Sequence, residues 1–314
     1  MRVDILALDQ ASLGGLAATT DVLDAANQLG ASPAFSWRLL STGSSVRLRA
    51  GIVAPTEALA TARPADWVVV LGLGSATPEA IEARLSRPDI AAAARWLKQA
   101  GAGGARTAAS CTGAFLLAEA GLLDGRDCTT SWWLQGLLAR RTPKAKVSTD
   151  AMVVSSDPVW TAGPSYAHLD LMLTILAHCT SADLAASVGR RLSAEQRASQ
   201  GGYIEPLGMA ADPAVASLEA AVSARLSERM GLADLAATIG TTPRTLARRI
   251  QSATGLSPMR FVQKIRLDAA LRLIRSGDMP LSRVAETVGL ADAATLHRLV
   301  VRHTQRAPGA FRRL

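Results

Sequence analysis

The chain reads as an α/β domain followed by an all-α domain, and three observations predict this. Short apolar runs alternate with amphipathic helical stretches from Val3 to His178. From Leu232 to Arg313 strand-like runs give way to a helical pattern that occurs twice, about 50 residues apart. The charge also divides: from Ala216 onward there are 16 Lys+Arg against 7 Asp+Glu, a net +9, whereas residues 1–215 carry 18 against 19, a net −1. At 314 residues, 49% apolar and 19% charged, the chain has enough material for two ordinary cores and lacks the composition of a disordered protein.

In the first part, Val3–Leu8 is an apolar run and Leu16–Leu29 carries a helical stripe. Phe35–Ser41 and Val46–Ala50 read as strands, and Trp67–Leu73 (WVVVLGL), rich in β-branched residues, as a buried central strand. Glu79–Gln99 is helical with a break near Pro88, and Arg106–Ser110 is a strand leading to Cys111. Ala114–Ala120 and Trp132–Arg140 read as helices, Met152–Ser155 with Val159–Thr161 as a late hairpin, and Ser165–His178 as a closing helix. Such alternation predicts a mainly parallel sheet with helices on both faces. The polar, Gly- and Pro-containing stretch after Arg191 places the boundaries at 1–195, a linker at 196–215 and a second domain at 216–314.

The second part holds two copies of one unit. LADLAATIGTTPRTLARRIQSATGLSP and LSRVAETVGLADAATLHRLVVRHTQRAP pair Ala236/Ala285 and Gly240/Gly289 at an offset of 49, then Leu246/Leu296, Arg248/Arg298, Ile250/Val300, Pro258/Pro308 and Phe261/Phe311 at 50. Each copy is a helix, a glycine turn and a second helix, the grammar of helix-turn-helix. Leu246/Ile250 and Leu296/Val300 face a core, which turns Arg244, Thr245 and Arg248, and in the second copy Ala294, Thr295, Arg298 and Arg302, outward. Arginine suits a DNA surface because its planar fork takes a guanine edge bidentately or clamps a phosphate. The local net charge of +9 is the footprint expected of a phosphate-binding module.

These residues resemble the AraC-type transcription regulators, whose C-terminal domain carries two helix-turn-helix units joined by a shared helix, here Ser257-Pro258 to about Arg275. The resemblance implies that Arg244, Ala247 and Arg248 face bases in the first unit, and Thr295, His297 and Arg298 in the second. The family's Gly-x-Ser-Pro stands at Gly255–Pro258. It becomes Gln305-Arg306-Ala307-Pro308 in the second copy, where Leu290 replaces the usual aromatic after Gly289, which predicts a less base-specific second unit.

Ala108-Ala109-Ser110-Cys111-Thr112-Gly113-Ala114-Phe115 sets a thiol between an apolar strand and a helix with small neighbours, the pattern of a nucleophile elbow. ASCTGAFLLAEAGLLDGRDCTTSWW resembles the elbow region of class I glutamine amidotransferase-like, PfpI-type domains, and more closely the GlxA-like regulators in which such a domain precedes an AraC-type one. The implied first-domain fold is flavodoxin-like. LAATTDVLDAAN matches the segment that supplies an acidic residue beside the cysteine, here Asp21. The family's His base partner is replaced by Ser131, and none of His168, His178, His297 or His303 is near the motif in sequence. The expectation is therefore a retired enzyme scaffold with a ligand pocket around Cys111, Asp21, Thr112, Ser131, Trp132 and Trp133 and no catalytic residues. The alternative is a cysteine-dependent hydrolase or glyoxalase with an accessory DNA-binding domain.

Cys111, Cys128 and Cys179 lack metal-ligand spacing and leave an odd thiol, so neither a metal, a cofactor nor a disulfide framework is expected. LDLMLTILA at 169–177 is too short to cross a bilayer, and MRVDILALD is no signal peptide. The expected protein is a soluble, cytoplasmic homodimer that acts on transcription as an activator or a repressor. Its expected partners are promoter DNA, RNA polymerase and an amine or amino-acid derivative as effector, with no membrane partner.

Overall fold

The computed structural model describes residues 1–314 apart from 64, 76, 149, 195, 201–212, 255, 278, 305, 306, 313 and 314. The chain divides into two compact units, Met1–Gln200 and Gly201–Leu314.

The first unit runs β1 (Arg2–Leu6), α1 (Leu13–Gln28), β2 (Ser36–Ser41), β3 (Ser45–Arg47), β4 (Val53–Pro55), β5 (Glu57–Ala58) and β6 (Trp67–Val70). It continues through α2 (Pro78–Leu85), α3 (Pro88–Ala102), β7 (Arg106–Ser110), α4 (Gly113–Glu119), β8 (Asp127–Cys128), α5 (Gln135–Arg141) and β9 (Lys146–Val147). β10 (Val153–Ser156), β11 (Val159–Ala162), α6 (Ala167–Cys179) and α7 (Ala182–Arg191) close it. Seven strands form one sheet in the order β10-β11-β7-β6-β1-β2-β5, parallel throughout except for the β10–β11 hairpin. The central strands are apolar on both sides because both faces are covered. In β6, Val68 and Val70 join a cluster with Ile90, Leu97 and Phe115 of α3 and α4, whereas Trp67 and Val69 join one with Val22, Leu171 and Leu176 of α1 and α6.

Several local expectations needed revision. Val46–Ala50 does not join the main sheet: Ser45–Arg47 pairs antiparallel with Val53–Pro55 in a separate ribbon. Trp132–Arg140 opens as a 3-10 turn at Trp132–Leu134 before α5. The break expected near Pro88 is present, by contrast: the stretch splits into α2 and α3 because proline at the first helical position cannot continue the preceding turn. The linker expected at 196–215 is shorter than its composition suggested. Arg197 pairs with Asp170 and Gln200 is fully buried, so 196–200 packs onto the first unit, and Pro213–Val215 is already helix with Val215 buried. Residues 201–212 lie outside the described residues.

The second unit contains α8 (Pro213–Ala224), α9 (Leu232–Thr238), α10 (Pro243–Thr254), α11 (Pro258–Ser276), α12 (Leu281–Thr287) and α13 (Ala293–Thr304). α9 and α12 begin 49 residues apart and α10 and α13 begin 50 apart, as the sequence repeat requires. Both turn glycines are left-handed, Gly240 at φ 64° and Gly289 at φ 70°. Leu235, Ala236, Leu246 and Ile250 share a core with Phe261 and Ile265 of α11. Val284, Ala285, Leu296 and Val300 share another with Leu271 and Ile274 of the same helix. Each buried aliphatic side chain contributes about 1.5–3 kcal/mol. Gly255, Gln305, Arg306 and Arg313 lie outside the described residues.

Candidate effector site and nucleic-acid interface

At the end of β7 the backbone turns sharply, and Cys111 adopts φ 54°, a left-handed conformation that a side-chain-bearing residue holds only when its surroundings enforce it. The enforcement is visible. The Cys111 N–H donates to the carbonyls of Ala162 (3.1 Å) and Gly163 (2.8 Å), and the Cys111 carbonyl accepts from the Thr130 hydroxyl (2.7 Å). The small neighbours are sterically required: a Cβ at Gly113 would lie 3.0 Å from the Val70 carbonyl oxygen and 3.1 Å from that of Leu71.

The thiol meets hydroxyls. Ser131 Oγ donates to Cys111 Sγ at 3.0 Å and Ser165 Oγ lies at 3.6 Å. Of the expected pocket, the structure thus brings Cys111 and Ser131 together, both buried. Thr112 is adjacent, but its hydroxyl accepts the Leu73 N–H at 2.7 Å and acts as a strut between loops. Trp132 is buried and Trp133 half-buried, their rings edge-to-face at 5.2 Å in the turn after Ser131. Two open cavities in this unit, of about 630 Å³ beside Arg95 and Trp96 and about 360 Å³ beside Asp9 and Arg87, do not include Cys111.

Asp21 is a correction. It is exposed on α1, whose buried stripe carries Gly15 and Thr19. Six residues beyond Gly15, Asp21 is rotated by about 240° around the helix, so it turns away from that stripe.

His168 enters from another direction. It lies 57 residues beyond Cys111 in sequence, yet its Nδ1 is 2.8 Å from the hydroxyl of Ser110, and its Nε2 is 2.8 Å from the hydroxyl of Thr19. Thr19 directs its own proton to the Gly15 carbonyl at 2.9 Å, which fits a neutral ring that donates from Nε2 and accepts at Nδ1. Burial alone pushes its pKa down to about 4. Both ring nitrogens are therefore engaged away from the thiol. Burial also pushes the Cys128 thiol up to about 11. Nothing in sequence spacing signals His168, because α6 reaches the elbow only through the fold.

In the second unit Arg244 and Arg248 are exposed on α10, with Thr245 and Ala247 half-buried at their flanks. The Thr242 hydroxyl accepts the Thr245 N–H at 3.2 Å and caps the helix. On α13, His297, Arg298 and Arg302 are exposed and Thr295 is half-buried. Asp292 caps that helix, accepting the Thr295 N–H at 2.6 Å, and Arg298 donates to the Thr295 hydroxyl at 3.0 Å. The cap holds the Asp292 carboxyl below its usual range. Gln251, exposed one turn beyond Arg248, extends the outward stripe of α10; its equivalent on α13 is Val301. No helix among the described residues is long and apolar enough to cross a membrane, and no group of three or more His, Cys, Asp or Glu side chains among them could hold a metal ion.

The DJ-1/PfpI family matches residues 41–178 and a helix-turn-helix domain family matches residues 235–314. The chain is 28% identical to the HTH-type transcriptional regulator GbdR of Pseudomonas aeruginosa, over 91% of its own length and 77% of that protein's. It is 28% identical to the HTH-type transcriptional regulator GlxA of Rhizobium meliloti, over 99% and 95% of the two lengths. In structure it resembles an AraC family transcriptional regulator from Pseudomonas putida, with TM-score 0.52 and 26% identity over 61% of this chain and 98% of that one. One family match falls on each unit of this chain, and the similarity to GlxA runs through both, so the chain belongs to the AraC-type transcriptional regulators of the GlxA-like branch, with an N-terminal domain of DJ-1/PfpI type.

Proposed function

We propose that this DNA-binding transcription regulator is controlled by a small molecule, an amine or amino-acid derivative, held beside Cys111 and Ser131 without being turned over. A single observation supports the non-catalytic reading most strongly: Cys111 Sγ is met by two hydroxyls, while the buried imidazole nearest the elbow commits both nitrogens to Thr19 and Ser110. Covalent catalysis by a thiol needs a proton acceptor within hydrogen-bond reach, and a serine hydroxyl does not serve near neutral pH. In this reading residues up to Gln200 sense the effector and form a homodimer, and α8 onward reads promoter DNA through Arg244, Ala247, Arg248, Thr295, His297, Arg298 and Arg302, bringing RNA polymerase to an activated promoter.

The left-handed, enforced geometry of Cys111 favours a second reading, a cysteine hydrolase or glyoxalase. Comparison with Cys111→Ser separates the two. The regulator shows no amidase, peptidase or glyoxalase turnover above that variant, and the variant binds DNA as well as the unaltered chain does. Turnover abolished by Cys111→Ser overturns the proposal. Sedimentation of residues 1–200 at micromolar concentration tests the dimer, and a monomer contradicts it.

A further inference from the structure

The last residues of the first unit are fastened to the elbow from behind. Arg197 closes on the buried Asp170, its Nε 3.1 Å and its Nη2 2.5 Å from Oδ2, and its Nη2 also donates to the Tyr166 carbonyl at 2.8 Å. Ser199 pairs with Ala151 in an antiparallel bridge, and the Gln200 N–H donates to the Asp150 carbonyl at 2.8 Å. The Gln200 side chain then turns inward and is fully buried. Its Nε2 is shared among the Thr129 hydroxyl and the carbonyls of Thr130 and Ala151, each at 3.1 Å. Its Oε1, which has no hydrogen-bond partner among the described residues, packs so tightly on Gly163 that a Cβ there would lie 3.0 Å away.

Thr130 and Gly163 are also two of the three residues that hold Cys111 in its left-handed conformation, one through the Cys111 carbonyl and the other, with Ala162, through the Cys111 N–H. Gln200 is therefore a single residue removed from the elbow on both sides of the Cys111 peptide. Ser131, next to Thr130, donates to the thiol. Beyond Gln200 the chain continues toward the DNA-reading helices.

We propose that Gln200 is a positioning residue that couples the Cys111 site to the chain leading into the DNA-binding unit, so that a ligand displacing the Thr129–Ser131 turn releases residues 197–200. The physical reason is an all-or-none hydrogen-bond requirement. A fully buried amide cannot follow a shifted Thr130 carbonyl while it keeps Thr129 and Ala151, and it cannot remain buried without them. The converse also holds, because coupling between two sites is reciprocal. The inference rests on the reading of the Cys111 surroundings as the effector site.

The test uses the full-length chain and S-alkylation by iodoacetamide, followed by mass spectrometry at each cysteine. Gln200→Ala speeds alkylation of Cys111 about tenfold and leaves that of the buried Cys128 unchanged. Gln200→Glu, which sets a carboxylate against the Thr130 and Ala151 carbonyls, acts in the same direction. Arg197→Lys, which keeps the charge and loses the fork, gives a second route should either Gln200 variant fold poorly. In the unsubstituted chain, alkylation of Cys111 speeds amide exchange at Ser199 and Gln200 by a similar factor, while β6 and α6 amides keep their rates. A Cys111 rate within twofold of the parent in Gln200→Ala and Arg197→Lys, or a parallel rise at Cys128 that marks general loosening, overturns the proposal. Affinity for a duplex selected by the full-length chain from a random pool separates the two readings. If alkylation moves the strap amides and leaves that affinity flat, the strap coupling stands and effector control of DNA binding falls.

Discussion

The two helix-turn-helix units share a scaffold and differ in what they present. Both bury the same four positions and both turn on a left-handed glycine. The outward stripe of α10 carries Arg244, Arg248 and Gln251, and the equivalent stripe of α13 carries Ala294, Arg298 and Val301. Arg249 is exposed in the first unit where Leu299 is buried in the second. The caps differ too: a neutral hydroxyl on Thr242 against a carboxylate on Asp292, which sets a negative charge at the end of α13 that would approach DNA. Their supports also diverge. The first unit packs on α8, while the turn of the second is wedged under the Leu226–Glu228 segment, where Arg266 donates to the carbonyls of Gly289 (3.2 Å) and Glu228. Duplication thus preserved the buried half of each unit and released the exposed half to diverge, because packing constrains volume and an open face does not.

Four measurements break or sharpen that comparison. The largest effect is at the turns. A Cβ at Gly289 would lie 2.3 Å from the Leu226 carbonyl oxygen, whereas nothing stands within 4 Å of one at Gly240. Gly289→Ala should cost about 2–5 kcal/mol and Gly240→Ala only about 1–2 kcal/mol, the left-handed penalty alone. Equal losses in denaturant titrations would mean the two turns are supported alike.

Next is a pH dependence specific to the first unit. Glu219 of α8 is buried, neither carboxyl oxygen has a partner among the described residues, and burial, reinforced by the neighbouring Asp268 and opposed by Arg272, raises its pKa from 4.5 to about 7. The folded state therefore holds an extra proton between these values. Stability falls as pH rises from 4.5 through 7, by about 3 kcal/mol in all. Amide exchange in α9 and α10 should accelerate over that range more than in α12 and α13, and Glu219→Gln should flatten the slope; a slope unchanged in Glu219→Gln assigns it elsewhere.

DNA affinity gives the third contrast. On a selected duplex at fixed salt, Arg248→Ala should weaken binding by about 1–3 kcal/mol and relax sequence preference, and Arg298→Ala by less, with a smaller salt slope as its signature. The reverse order would make the second unit the principal reader. The smallest effect is the cap: Thr242→Ala should cost about 1 kcal/mol of stability and leave α13 exchange untouched.

The sequence alone was sufficient wherever the signal is periodic or local. The 49- and 50-residue offsets predicted the spacing of corresponding helices in the two units, the β-branched run at Trp67 predicted a central strand, and the small residues around Cys111 predicted a tight elbow, because each follows from a repeat or from sterics within a few residues. Tertiary structure decided everything that depends on which distant segments meet. Asp21 matched a family segment yet points out, since helical phase is fixed by the face that packs. His168 and Gln200 carry no local signature, and each reaches the elbow by packing across more than 50 residues of chain, where burial demands hydrogen-bond partners that sequence neighbours cannot supply. Val46 and its neighbours alternate like a sheet strand but form a ribbon with Val53–Pro55 and a bridge at Leu48 to Ala11 outside the main sheet, because a strand's partner is chosen by the edge available to it and its own pattern does not name that edge.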